Sequence, residues 1–152
     1  MVASGNLKQT CNLTLIQGIA MPGETDLEKM LSALRPVLLD GDFVFCTLVG
    51  ASLVDVAHLN PLATYQEQEG LSLLLQQGQA DASTYEYHGV FKGITLSVHS
   101  SLDAVGLTAA VASKLAEFDI PANMVAAHYH DHVFVPREKA PKALELLQQL
   151  SD

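Results

Sequence analysis

A group of polar residues directly follows an apolar segment in the second half of the chain. In Ile94–His99 apolar and polar residues alternate, and Ser100, Ser101 and Asp103 come next. Alternation is typical of a half-buried strand, whereas hydroxyls followed by a carboxylate are typical of the first turn of a helix. That turn presents unpaired N–H groups and positive potential, which attract a carboxylate, and Asp103 is placed to attract an ammonium group. The pattern predicts a binding site for a small zwitterion.

The same residues also have a purely structural interpretation. Ser100 and Ser101 can cap the helix, Asp103 can complement its dipole, and Gly106 can let the helix pack closely on a sheet. The residue types alone fit a cap as well as they fit a binding site. Both interpretations stay open.

Three histidines, His128, His130 and His132, alternate with other residues in the segment HYHDH. On one continuous strand, side chains two residues apart share a face at roughly 6.6 Å, so that two imidazoles could meet one metal ion. A turn at His130–Asp131 would break this spacing, and no third or fourth ligand stands at a recognisable distance in the sequence. We therefore predict no metal site and no cofactor, and histidines that form a turn, the surface or a subunit contact.

Catalytic motifs are missing from the sequence, which contains no nucleophile elbow, zinc-protease motif or phosphate-binding loop. His99, Ser100 and Asp131 could be combined into a triad on paper, but neighbouring side chains on a strand point to opposite faces. We predict no catalytic residues and no enzymatic activity, and a histidine-metal enzyme is the weaker alternative.

The segments around the Ser100 turn predict a strand, a helix, a hairpin and a second helix. After the strand Ile94–His99, a helix of small and apolar residues begins at about Leu102, continues to Phe118 and is ended by Pro121. Two strands joined by a turn at His130–Asp131 come next, and helical spacing resumes at Arg137. These two strands are Asn123–Tyr129 and His132–Val135.

The first half of the chain has the same order of elements with weaker patterns. A helix capped by Thr25 or Asp26 precedes a buried strand at Phe43–Val49, and the irregular segment Leu53–Tyr65 connects it to a strand at Leu71–Leu75. A strand at Thr10–Ile16, a short helix at Gln76–Ser83 and a long strand from Tyr85 complete the prediction. The second repeat lacks its last strand, which either the N-terminal segment or a second copy of the chain would supply.

Three segments carry a resemblance to a known family: VHSSLDAVGLTAAVASKLAE, NMVAAHYHDHVFVP and GDFVFCTL. They resemble a small bacterial family of stand-alone tandem ACT-domain proteins of uncharacterised function. The resemblance implies an α+β, ferredoxin-like βαββαβ fold with two ACT-like subdomains, residues 1–84 and 85–152, packed through antiparallel sheets. By analogy it also implies a regulatory module that binds an amino acid or a similar small zwitterion, in a homo-oligomer. The residues expected to bind this ligand are His99, Ser100, Ser101, Leu102, Asp103, Val105, Gly106, Asn123 and His130.

Composition excludes some partners and fits others. Eight Lys and Arg residues against 17 Asp and Glu residues give a net charge of −9, which repels phosphate backbones and acidic membranes. We therefore expect no nucleic-acid partner and no membrane partner. Neither a spanning apolar run nor a secretion signal stands in the sequence, and two isolated cysteines suit a reducing compartment, so we expect a cytoplasmic protein. A module for oligomerisation or protein interaction that binds no ligand is the main alternative function.

Overall fold

The computed structural model describes residues 23–151 of the 152-residue chain. The predicted strand Thr10–Ile16 lies outside the described residues. Within them, no helix is long and apolar enough to cross a membrane. The strands are β1 (Pro36–Leu38), β2 (Phe43–Leu48), β3 (Ala63–Gln66), β4 (Leu71–Gln76), β5 (Phe91–Leu96), β6 (Asn123–Ala126) and β7 (Asp131–Pro136). The helices are α1 (Leu27–Ala33), α2 (Leu53–Val56), α3 (Gln77–Ala82), α4 (Leu107–Ala116) and α5 (Ala140–Gln148), with short 3₁₀ turns at Ala57–Leu59 and Arg137–Lys139.

All seven strands form one antiparallel sheet. Its order is β3-β4-β2-β5-β7-β6, and β1 pairs with β5 beside the end of β2. The first βαββαβ unit comprises β2, α2, β3, β4 and α3, with the start of β5 as its last strand. The second unit comprises β5, α4, β6, β7 and α5. The predicted α+β, ferredoxin-like fold is confirmed.

The last strand of the second unit is β1, from the same chain. Pro36–Leu38 pairs antiparallel with Ile94–Leu96, and five residues later Phe43 pairs with Phe91. Residues 39–42 are thus four residues opposite the two residues Lys92 and Gly93, and the extra length forms a bulge. β1 and β2 therefore run along one edge of β5 and belong to different units.

The bulge is held by charge and by one glycine. Gly41 has a φ of +92°, which a residue with a Cβ rarely adopts. The Lys92 ammonium donates to the Gly41 carbonyl at 2.7 Å and lies 3.0 Å from the Asp42 carboxylate, and Arg137 lies 3.3 Å from the same carboxylate. Hydrogen bonding from Lys92, more than that from Arg137, holds the pKa of Asp42 below its usual range.

Two apolar cores lie on the side of the sheet that carries the helices. The core of the first unit contains Val44, Leu73 and Leu75, and the core of the second contains Ile94 and Val133, all almost completely buried. Helix α1 packs on the second core, where its Met30 and the following Leu34 are fully buried. Both α1 and β1 therefore pack with the second unit, although they precede the first unit in the chain. The division of the chain at residue 84 stays a prediction.

The two hairpins of the sheet superpose in register with a shift of sixty residues. Ala63 pairs with Leu74 just as Asn123 pairs with Phe134, and the turns also correspond, since Glu67 N–H donates to the Gly70 carbonyl and Ala127 N–H to the His130 carbonyl. The alternation of buried and partly buried residues in β4 is repeated in β7. No residue of 63–76 is identical to its counterpart in 123–136, so the repeat is structural.

Several element boundaries differ from the predicted ones. Strand β5 ends at Leu96 rather than His99, and α4 begins at Leu107 rather than Leu102. The hairpin turn occupies residues 127–130 rather than His130–Asp131, because Asp131 already pairs with Leu96 in the sheet. The segment Leu53–Tyr65, predicted to be irregular, contains α2, a 3₁₀ turn and most of β3.

Leu34→Ala should lower the free energy of unfolding by about 2–5 kcal/mol, because it leaves a cavity in a core that α1 shares with the second unit. Val37→Ala, at a half-exposed position three residues later, is the matched control and should cost less than about 1 kcal/mol. Urea denaturation of both variants measures the difference. Equal small losses would show that α1 does not contribute to the second core.

Candidate functional site

The chain between β5 and α4 is a ten-residue loop fixed by the segment that precedes α1. Glu24 N–H donates to the His99 carbonyl and Ser101 N–H donates to the Glu24 carbonyl, both at 2.9 Å, in a short parallel bridge. A Cβ at Gly23 would lie 2.4 Å from the Ser101 nitrogen, so only glycine allows this close approach. The loop is therefore an anchored part of the second unit.

The serines in this loop do not cap the helix. Ser101 Oγ accepts a hydrogen bond from Asp103 N–H at 3.2 Å, and the Ser101 carbonyl accepts one from Ala104 N–H at 2.9 Å, so both groups close a local turn. The prediction that Ser100 and Ser101 cap a helix beginning at Leu102 is wrong. The backbone of Ser101 is bonded to Glu24 and closes the turn to Ala104, so no helix begins there.

Helix α4 begins after Gly106 and has no side-chain cap among the described residues. Gly106 has a φ of +109°, and a Cβ there would lie 2.9 Å from a methyl carbon of Leu27 in α1. The N–H groups of a first helical turn have no partner within the helix. Leu107, Val111 and Leu115 are buried at intervals of four residues, so packing fixes the helix and orients its first turn.

The equivalent helix of the first unit is α2, and a carboxylate from within this helix is hydrogen-bonded at its start. Asp55 Oδ2 accepts hydrogen bonds from the backbone N–H and the hydroxyl of Ser52, at 2.8 Å and 2.7 Å. These bonds hold the pKa of Asp55 below its usual range. The two units therefore differ at the same place, since α2 begins at an internal carboxylate and α4 does not.

A small cavity of about 130 Å³ opens at the first turn of α4. Its polar lining consists of the Ser100, Ser101 and Thr108 residues together with Asp131 at the start of β7. The other residues around it are Leu102, Ala104, Gly106, Leu107 and Ala126.

Asp131 is the one charged residue buried in the part of the chain that the structure describes, with 9% of its surface exposed. Burial raises the pKa of its carboxyl group, although the nearby His132 and His130 act in the opposite direction. Among residues 23–151 no side chain donates a hydrogen bond to this carboxylate. A carboxylate in this state is available to a cationic or hydrogen-bonding ligand.

The repeat identifies Asp131 as an exception. Its counterpart sixty residues earlier is Leu71, which is 1% exposed and belongs to the core of the first unit. Sequence reasoning placed Asp131 in a turn and missed it as a site residue. The signal that could have found it is the alignment of LSLLLQ with DHVFVP, in which an acidic residue stands where the repeat has leucine.

The cavity brings together four of the residues predicted to bind a ligand: Ser100, Ser101, Leu102 and Gly106. The others lie outside it. Asp103 and Val105 are exposed, and the His99 ring lies 5.4 Å from the ring of Tyr129. The remaining two are Asn123, whose side chain donates to the Phe134 carbonyl at 3.0 Å, and His130, which is exposed in the hairpin turn.

The histidine segment divides between the turn and the strand. His128 and His130 are exposed in the turn, whereas His132 lies in β7 with Nδ1 3.0 Å from Thr95 Oγ1. Burial lowers the pKa of the His132 imidazole, and His130 adds to this effect. The described residues contain no group of three or more His, Cys, Asp or Glu side chains that could hold a metal ion.

A second, larger groove of about 620 Å³ lies on the side of the sheet without helices. Its floor contains Phe45, Leu74 and Phe134, and the Phe45 and Phe134 rings meet edge to face at 5.9 Å. Residues 62–65 and 124–127, at the two edge strands of the sheet, form its walls. The sheet therefore curls enough to bring both of its edges to one groove.

Comparison with known proteins identifies the two units. Residues 22–92 match one sequence family described as an ACT domain, and residues 92–149 match a second family of that description. A protein of unknown function from Vibrio cholerae, named as a possible transport protein, is 49% identical, with a TM-score of 0.77 over 83% of this chain and 96% of its own. This chain belongs to the ACT-domain family.

More distant structures share the fold. An Agrobacterium tumefaciens protein is 16% identical, with a TM-score of 0.62 over 78% of this chain and 89% of its own. The regulatory subunit of aspartate kinase from Thermus flavus is 9% identical, with a TM-score of 0.55 over 78% and 97%. No curated protein matches the sequence. The resemblance to tandem ACT proteins is thereby confirmed, and the two ACT domains meet within β5, the strand that both share.

Asp131→Asn should stabilise this ACT protein more at neutral pH than at acid pH. The raised pKa means that the folded state holds the Asp131 proton more tightly than the unfolded state does. The protonated group therefore contributes to the stability of the folded state below the unfolded pKa of about 4, and this contribution is lost as the pH rises through the folded pKa. Urea denaturation of both proteins at pH 4 and pH 7 measures the difference. A gain that is equal at the two pH values would show that the Asp131 charge carries no cost in the folded state.

Proposed function

We propose that this tandem ACT protein is a regulatory module that binds a small amino acid in the cavity at the first turn of α4. The observation that carries the proposal is the difference between the two domains at this turn. In the first domain the Asp55 carboxylate accepts hydrogen bonds from Ser52 at the start of α2, whereas α4 has no side-chain cap among residues 23–151 and opens on a cavity. A ligand carboxylate at α4 would be stabilised by the N–H groups and by the helix dipole.

The size and lining of the cavity favour a ligand of few atoms. Its volume of 130 Å³ is well below the range of about 300–1,000 Å³ that holds drug-sized ligands. The hydroxyls of Ser100, Ser101 and Thr108 offer further hydrogen bonds, and the alanine and glycine residues leave little room for a large side chain. Glycine, alanine and serine are the amino acids that fit this description best.

A regulatory role is supported by the family. The Thermus flavus protein that shares the fold is itself a regulatory subunit of aspartate kinase. In that role the chain would report the level of an amino acid to a partner, and binding rather than catalysis would be its activity.

Free glycine, alanine or serine should raise the melting temperature of the protein. At one hundred times the dissociation constant a ligand adds about 2.7 kcal/mol, which is roughly 5–10 °C for a protein of this size. Ala126→Leu should abolish the rise, because this residue lines the cavity.

The matched control is Ala127→Leu, at the next position, which lines the large groove but not the small cavity. Differential scanning fluorimetry of the three proteins is the measurement. A flat response of the unmodified protein to all the common amino acids would remove the proposal, and an equal loss in both variants would place the ligand in the groove.

Assembly into a homo-oligomer is the second candidate function, and the edge strands favour it. Ala63–Gln66 and Asn123–Ala126 are the two edges of the sheet, and neither contains a charged residue or a proline. Such residues normally protect an edge from pairing with another chain. The exposed Tyr65 and Leu62 extend the apolar surface at one of these edges. We therefore propose that copies of the chain pair through an edge strand.

Tyr65→Lys should shift the protein toward the monomer, since it places a charge on the β3 edge. Val54→Lys, at an even more exposed apolar position on α2, is the control and should leave assembly unchanged. Light scattering after size-exclusion chromatography gives the mass of each species. A monomeric unmodified protein would contradict this candidate function.

A further inference from the structure

The buried carboxylate of Asp131 is unexplained by the fold. Its position in the repeat takes leucine in the first domain, and Leu71 shows that an apolar side chain fits this place in the sheet. The Asp131 side chain is about nine-tenths buried and receives no side-chain hydrogen bond from the described residues, and taking a carboxylate out of most of its water costs free energy that leucine would not cost. The second domain therefore carries a destabilising group at a point where the first domain carries a core residue.

The location of this carboxylate is specific. Asp131 pairs with Leu96 at the end of β5, directly beside the loop that leads to α4, and it lines the same cavity as the first helical turn. The first turn of α4 therefore favours a negative group on one side of the cavity, and Asp131 places a negative charge on the other lining element. Such an arrangement matches a small molecule that carries one charge of each sign, as every α-amino acid does.

We propose that Asp131 binds the ammonium group of the ligand, while the first turn of α4 binds the carboxylate. This inference rests on the proposed function and adds two statements to it. The site selects amino acids over acids that lack the amine, and it exists once in the chain. The first domain has neither element, because Leu71 replaces the aspartate and the Asp55 carboxylate already lies at the start of α2.

Asp103, the residue that the sequence placed in this role, does not line the cavity. Its side chain is exposed, so water screens its charge. It therefore provides a control with the same side chain, in the same loop region, outside the cavity.

The experiment compares glycine, L-alanine and L-serine with acetate, propionate and 3-hydroxypropionate, which are the same molecules without the amine. Isothermal titration calorimetry on the full-length protein is expected to show binding of an amino acid at one site per chain, and at least tenfold weaker binding of its amine-free counterpart. Asp131→Leu should weaken the amino acid at least tenfold and leave the amine-free acid unchanged. Its melting temperature without ligand should rise. Asp103→Leu should change neither affinity.

The outcomes separate this inference from the proposed function. Equal affinity for an amino acid and its amine-free counterpart would overturn the role of Asp131 and leave carboxylate binding at α4 intact. Two sites per chain would overturn the single-site statement, and loss of affinity in Asp103→Leu alone would return the ammonium to that residue. Binding of neither class of molecule would remove both the proposed function and this inference. Asp131→Asn, which keeps the size of the side chain, gives the same comparison if Asp131→Leu does not fold.

Discussion

The pairing of Leu96 with Asp131 is the contact on which the candidate site depends. It is the last pair of the ladder between β5 and β7, and beyond it β5 gives way to the loop that reaches α4. The ladder fixes Asp131 through six paired residues on a central strand, whereas packing of Leu107, Val111 and Leu115 fixes α4. Asp131 and α4 are therefore both fixed by the core of the second domain, and the loop that completes the cavity between them is held by the bridge to Glu24.

The two domains share one architecture but differ at the start of the first helix and at one strand position. In the first, the helix after β2 is short and holds Asp55 at its start, and Leu71 completes an apolar core. In the second, the chain inserts a longer loop before α4 and places a carboxylate at the equivalent strand position. The two domains therefore differ at one buried strand position, where the first carries an apolar core residue and the second carries a carboxylate.

The family and the order of elements could be predicted from the sequence, whereas the site could be predicted only in part. Alternation in Ile94–Val98 and in the strands of the hairpin reports burial on one face, and this signal survives in a single sequence. The start of α4 could not be found, because Ser100 and Ser101 are good capping residues by type and only the tertiary bridge to Glu24 prevents this role. Asp131 was missed for a related reason, since turn-forming residues precede it and its burial comes from strands distant in sequence. The ligand-binding roles of all nine residues stay predictions: His99, Ser100, Ser101, Leu102, Asp103, Val105, Gly106, Asn123 and His130.

The bulge at residues 39–42 also has a consequence for how the protein is made. The second domain takes its last strand, Pro36–Leu38, from a point upstream of the whole first domain. During synthesis α1 and β1 leave the ribosome before the first domain, but their partners in β5, α4 and α5 follow it. The apolar residues of α1 and β1 therefore stay unburied until the second domain is made. Packing them on β5 and the second core closes a large loop of chain, and the entropic cost of this closure slows folding. The first domain has most of its contacts within one continuous stretch, so it is the part of the chain able to fold early.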